Sequence, residues 1–332
     1  MRRARSFHTC IAAAVSMGVA SCGAGGGPSG APSSSTTYTA AAAAGELVSY
    51  TLDTAAGTYS YTITESAYGL TGRQGSGTLT KNSDGTYSPS GFGGRIAVLE
   101  SGLVLGAIAE DFNNDGTTEV TPFIGASNLV TTAAEAAGVY NFISRHCASF
   151  NDCAIDYGTI KVETSGAWAS CVKGNLSDST PSCTQSVTGN VGSFESGTAK
   201  ITLGNSRTTA GTMFIFKDVT NGQKALILDL NGQSDLGTGA VFAATQELPS
   251  SADGRWFYTH SNGLYGYVDV ETTNYTDHIV SANEISDGSF TPNQPWKGFV
   301  TTGFGAILMP TGSGLYAGYF PSGESMSIGL RP

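Results

Sequence analysis

Apolar and polar residues alternate in short runs along most of this chain, with a period of two rather than 3.6. G-T-Y-S-Y-T-I-T (57–64), G-S-G-T-L-T-K (75–81) and R-I-A-V-L-E (95–100) alternate or cluster β-formers, and turns such as N-S-D-G divide them. L-V-L-G-A-I-A (103–109) and E-V-T-P-F-I (119–124) complete a small N-terminal β unit over residues 46–128. One short helix is predicted near Thr131–Ala137, where Thr132 can cap the start and Glu135 stands three residues on. It marks a boundary or a plug.

A longer series follows. G-V-Y-N-F-I-S (138–144) leads to G-T-I-K-V-E-T (158–164), in which Ile160 and Val162 face one way and Lys161 and Glu163 the other. Segments at 166–172, 197–203, 211–217, 224–230, 240–246, 255–260, 263–270, 298–309 and 314–320 continue the pattern. Glycine, asparagine and aspartate turns join most neighbours, so the expected topology is an antiparallel meander. The fold class is all-β, and closure of residues 129–332 into a soluble β-barrel of about 8–10 strands hides every edge.

The start of the chain reads differently. M-R-R-A-R-S-F-H carries three arginines, and the apolar run I-A-A-A-V-S-M-G-V-A follows it. Residues 1–21 therefore read as a secretory signal, too short for a spanning helix. The ending Val19-Ala20-Ser21-Cys22 resembles the lipobox of bacterial lipoproteins, with an ordinary signal cut near A-S-C as the other reading. The resemblance implies a lipid on the Cys22 thiol and an acylated new amine, which together anchor a protein stably to the membrane. Glycine at 23, where the family's retention signal has aspartate, implies an outer-membrane address in a Gram-negative host. Residues 22–45 hold few large apolar groups and are expected to be a flexible linker after the lipidated cysteine.

Charge narrows the partners. Without the three signal arginines, 13 bases oppose 26 acids. That balance argues against nucleic acid and against a basic patch on anionic lipid. In an exported chain Cys147, Cys153, Cys171 and Cys183 are expected as disulfides, and Cys147–Cys153 with Cys171–Cys183 closes two short loops. Zinc is the competing reading, but there is no C-x-x-C pair and only His146 is near.

Gly138-Val139-Tyr140 resembles the opening of lipocalin- and avidin-like barrels, with tyrosine in place of their tryptophan. The resemblance bears on architecture alone. A membrane-spanning barrel fits less well: the C-terminus lacks a terminal aromatic residue, and T-A-K-I-T-L carries charge where lipid would lie.

D-F-N-N-D-G-T-T-E (111–119) resembles the calcium loops of integrin-type FG-GAP repeats and, more loosely, EF-hands. The resemblance implies a structural calcium ion held by Asp111, Asn113, Asp115, Thr117 and Glu119, with Gly116 giving the bend. The loop departs from an EF-hand at Pro122 and is echoed only by Asp229-Leu230-Asn231-Gly232. A metal-free hairpin with Asn114-Asp115-Gly116 at its tip explains the same residues.

Catalytic patterns are thin. Neither G-x-S-x-G nor a phosphate-binding glycine loop occurs, so no enzyme is expected. The acid pairs Glu110–Asp111 and Asp269–Glu271 suit glycosidase chemistry only at the right separation. His260 and His278 are expected in surface loops. Tyr140, Trp168 and Trp256 are the candidate lining of a cavity for a small apolar ligand, with core packing as their plainer role. The chain thus reads as an outer-membrane-anchored lipoprotein whose barrel body is a structural or surface-interaction module. Small-ligand binding is the alternative, and a cell-envelope hydrolase stands behind both.

Overall fold

The computed structural model describes residues 35–91, 94–112, 114–149, 152–204, 208–232, 236–321 and 325–331, which form one compact unit. Cys22, the signal segment and residues 23–34 of the expected linker lie outside the described residues.

Eight strands come first: β1 (Ser35–Ala42), β2 (Glu46–Asp53), β3 (Thr58–Ser66), β4 (Gln74–Lys81), β5 (Tyr87–Pro89), β6 (Ala97–Val98), β7 (Leu103–Glu110) and β8 (Glu119–Ala126). Their order is β5-β4-β3-β2-β1-β8-β7-β6, and a bridge between Tyr87 and Ile96 joins the ends into a nearly closed barrel. Inside it, the Tyr50 ring stacks on Tyr59 and Tyr61 and meets Phe123 at 4.6 Å.

Residues 35–45, expected as the end of the linker, are instead the central strand β1 and its turn. The alanines there are small because β1 lies between two cores. Ala40, Ala42 and Ala44 face the barrel interior, while Ala41 and Ala43 face the neighbouring barrels. A run without large side chains was therefore close packing rather than a tether.

The helix α1 (Ala133–Ala136) is a single turn. Thr132 Oγ1 accepts from the Glu135 amide at 3.2 Å, and Glu135 Oε2 accepts from the Thr131 amide at 3.3 Å, as the capping pattern predicted. Ala136 is buried in the core of the second barrel and its carbonyl accepts from the Tyr140 hydroxyl, so the turn plugs that barrel.

The second barrel comprises β9 (Gly138–Ser149), β10 (Asp152–Val162), β11 (Ala167–Val172), β12 (Gln185–Glu195), β13 (Thr198–Leu203), β14 (Thr209–Lys217), β15 (Lys224–Asn231) and β16 (Thr238–Thr245). It closes where β16 pairs with β9. The two disulfides join Cys147 to Cys153 and Cys171 to Cys183, the local pairing expected.

A third barrel follows: β17 (Gly254–His260), β18 (Tyr265–Glu271), β19 (Asn274–Ile279), β20 (Glu284–Pro292), β21 (Val300–Thr302), β22 (Ile307–Pro310), β23 (Leu315–Phe320) and β24 (Ser325–Leu330). It closes between β17 and β24. The expected single barrel over 129–332 is thus two barrels of eight strands each. The strands hidden from the pattern are the polar, largely exposed β12 and β20, the half-buried β19, and the small-residue β24.

Outward faces of all three barrels meet in one buried cluster. It includes Leu103 and Ile124 of the first, Phe214 and Phe242 of the second, and Phe257, Leu315 and Ile328 of the third. Beside it, the seam between the first two barrels is polar. Lys200, Thr212, Asp229, Ala240 and Arg145 follow one another in register across β13, β14, β15, β16 and β9. Lys200 Nζ pairs with Glu65 of β3, and Arg145 Nη1 donates to the Ala43 carbonyl at 3.0 Å. Glu46 is fully buried there. Its Oε1 accepts from Ser66 at 3.1 Å, while its Oε2 and both Asp229 oxygens have no hydrogen-bond partner among the described residues. Gly45 permits this close approach: a Cβ on it would lie 2.5 Å from the Gly239 amide and 2.8 Å from the Leu230 carbonyl.

Candidate ligand cavity in the third barrel

Alternation on β17 sets the site. Phe257 points outward into the shared core, so Trp256, Tyr258 and His260 point inward. On β18 the inward residues are Val268 and Val270, and on β19 they are Tyr275 and Asp277. Gly288, opposite Tyr275, leaves space for that ring: a Cβ there would meet the Tyr275 hydroxyl oxygen at 2.2 Å. Phe304 and Phe320 stack at 6.2 Å at the rim, and Phe304 is 54% exposed, so the cavity reaches the surface there.

These walls leave a cavity of about 60 Å³. Tyr316 and Leu308 complete the apolar wall from the opposite strands.

Few polar groups interrupt it. The Tyr258 hydroxyl donates to Asp277 Oδ1 at 2.6 Å. Burial pushes the Asp277 carboxyl above its ordinary range, opposed by that hydrogen bond and by His278. Burial likewise raises the Tyr258 and Tyr316 phenols, so both stay neutral. His260 packs edge-on against Tyr258 at 5.0 Å and near Phe320 at 4.9 Å. Its Nδ1 is buried without a hydrogen-bond partner among the described residues, and burial lowers the imidazole to about 4, leaving it uncharged at neutral pH.

His260 is therefore a cavity residue rather than a surface-loop histidine. The i, i+2, i+4 spacing of Trp256, Tyr258 and His260 was the signal for this. His278 also lies in a strand, half-buried on the outer face and stacked on Tyr267 at 4.4 Å. Asp277, in a polar N-Y-T-D-H string, gave no sign of its position.

Tyr140, Trp168 and Trp256 do not share one cavity. Trp256 lines the third barrel, while Tyr140 and Trp168 belong to the core of the second. Trp168 borders a cavity of about 100 Å³ there, whose wall also carries Ser144, His146 and Asp156. Its indole N–H has no hydrogen-bond partner among the described residues. His146 Nε2 stands 3.9 Å from Asp156 Oδ2.

In the 111–119 loop the carboxylates turn onto their own backbone. Asp111 accepts from the Asp115 and Gly116 amides at 3.0 and 2.9 Å, Asp115 from Thr117 at 2.7 Å, and Glu119 from Phe112 at 3.2 Å. Asn113 lies outside the described residues. Among the described residues no group of three or more His, Cys, Asp and Glu side chains is placed to hold a metal ion.

The acid pairs are also separated in role. Glu110 accepts from Tyr61 at 2.9 Å and pairs with Arg73 at 3.1 Å, and Asp269 is held by Arg255 through two bonds of 2.7 Å. No known protein family, curated protein or solved structure matches this chain.

Proposed function

We propose that this chain is a lipid-anchored binding protein of the bacterial cell envelope whose third barrel takes a small apolar ligand. In this reading the lipid on Cys22 holds the protein at the outer membrane, and the first two barrels are a frame. One observation carries it: the third barrel encloses a cavity between aromatic walls, with a buried imidazole nitrogen at its edge that has no partner among the described residues. Small-molecule sites have this composition, apolar walls with a few placed polar groups. The tyrosine-filled first barrel supports the framing role.

The test is saturation-transfer NMR with cyclohexanol on the full chain, beside Val268→Phe, which fills the cavity. Binding should saturate in the parent and weaken at least about tenfold in the folded variant, since ring and cavity compete for one volume. Equal binding to both, or to neither, contradicts the proposal.

The surface-interaction reading draws on a different observation. Ile285 is 68% and Val280 41% exposed at the β19–β20 hairpin, beyond the cavity wall. A partner lost on Ile285→Ser, with cyclohexanol binding intact, would assign that face its own role.

A further inference from the structure

Resting on the ligand-binding reading above, we infer that the third-barrel cavity selects a small organic cation, an alkylated ammonium group, over a neutral molecule of the same shape. Asp277 is the one carboxyl side chain among the described residues that line it, and it forms no ion pair among them. The Tyr258 hydroxyl bonds one of its oxygens, and Tyr275 and Tyr316 lie near enough to feel its charge. With Trp256, whose ring already carries the Arg331 guanidinium 5.0 Å from its centroid, these aromatic side chains share the lining with a carboxyl group, a combination that attracts weakly hydrated cations.

Other features agree. The imidazole of His260 is uncharged at neutral pH and adds no positive charge to the lining, and its Nδ1 can accept a hydrogen bond when Nε2 carries the proton. An inorganic ion would lose its hydration shell to mostly apolar walls, whereas an alkylated ammonium brings methyl groups to meet them. A formal net charge of −10 draws cations toward the chain. Burial raises the Asp277 carboxyl, and a cation beside it favours the ionised form.

Isothermal titration of the full chain with choline, and with its neutral carbon isostere bearing tert-butyl for trimethylammonium, tests this at constant ionic strength. Choline should bind at least about tenfold more tightly than the isostere. Asp277→Asn should abolish that preference, bringing choline and the isostere to within about twofold of each other, because the amide keeps the shape and removes the charge. Asp277→Ser provides a second neutral side chain should the asparagine variant fail to fold. Equal affinity for both probes, or a choline preference that survives removal of the Asp277 charge, overturns the cation inference and leaves the apolar-ligand reading standing. Binding of neither probe to the parent overturns both.

Discussion

Glu46→Gln should make the protein less sensitive to alkaline pH. Glu46 is fully buried at the seam between the first and second barrels, and burial raises its carboxyl from 4.5 to about 8, against the hydrogen bond from Ser66. Asp229 faces it across the seam, and Tyr68 and Glu110 interact with it from its own barrel. Its folded state keeps the proton up to about pH 8, whereas the unfolded chain releases it near 4.5. Stability is therefore highest below 4.5, falls as pH rises through this window, and levels off above about 8. At about 1.4 kcal/mol per pH unit the whole window amounts to about 5 kcal/mol. The isoelectric point near 4.8 makes the acid end prone to precipitation, so urea unfolding should be compared at about pH 5.5 and pH 8. Between those two values wild type should lose about 3 kcal/mol relative to Glu46→Gln. Comparing the two proteins cancels the self-repulsion of the other acids. A stability gap that is the same at both pH values would refute the reasoning.

Other expectations follow from particular residues. Cys22→Ser should abolish acyl incorporation and release the protein from membranes; unchanged fractionation without acyl label in the native protein contradicts the anchor. Reduction of the Cys147–Cys153 and Cys171–Cys183 bonds should cost about 2–3 kcal/mol each in denaturant unfolding, and an unchanged midpoint would count against their role. In the 111–119 hairpin, melting should ignore chelator, while Gly116→Ala should cost about 1 kcal/mol because its φ is 85°. Chelator-sensitive melting that disappears in Asp111→Ala would instead assign the loop a calcium ion.

Much of the architecture was legible because alternation reports a strand with one buried face. Ile160 and Val162 against Lys161 and Glu163 is such a case: the first two are buried in the second barrel, and the latter pair at 2.7 Å outside. The same rule fails where neither face is deeply buried, as in Glu284–Pro292, and the count of barrels fell from two to one. Alanines 40–44 failed for the opposite reason, since both faces are buried and both demand small side chains. The cysteine pairing was readable because local loops brought the thiols together across β9–β10 and beside β11. The cavity was half readable. Trp256 carried an apolar signal, but Asp277 becomes a site residue only when closure of the barrel turns β19 toward β17 and β23, a long-range event that no local string records.

Native mass spectrometry of protein released from its own membrane addresses the ligand most directly. The account predicts a population heavier than lipidated polypeptide by one small molecule, lost in Val268→Phe, whose added ring occupies the third-barrel cavity. A single lipidated mass, the same in parent and variant apart from the substitution itself, would contradict it.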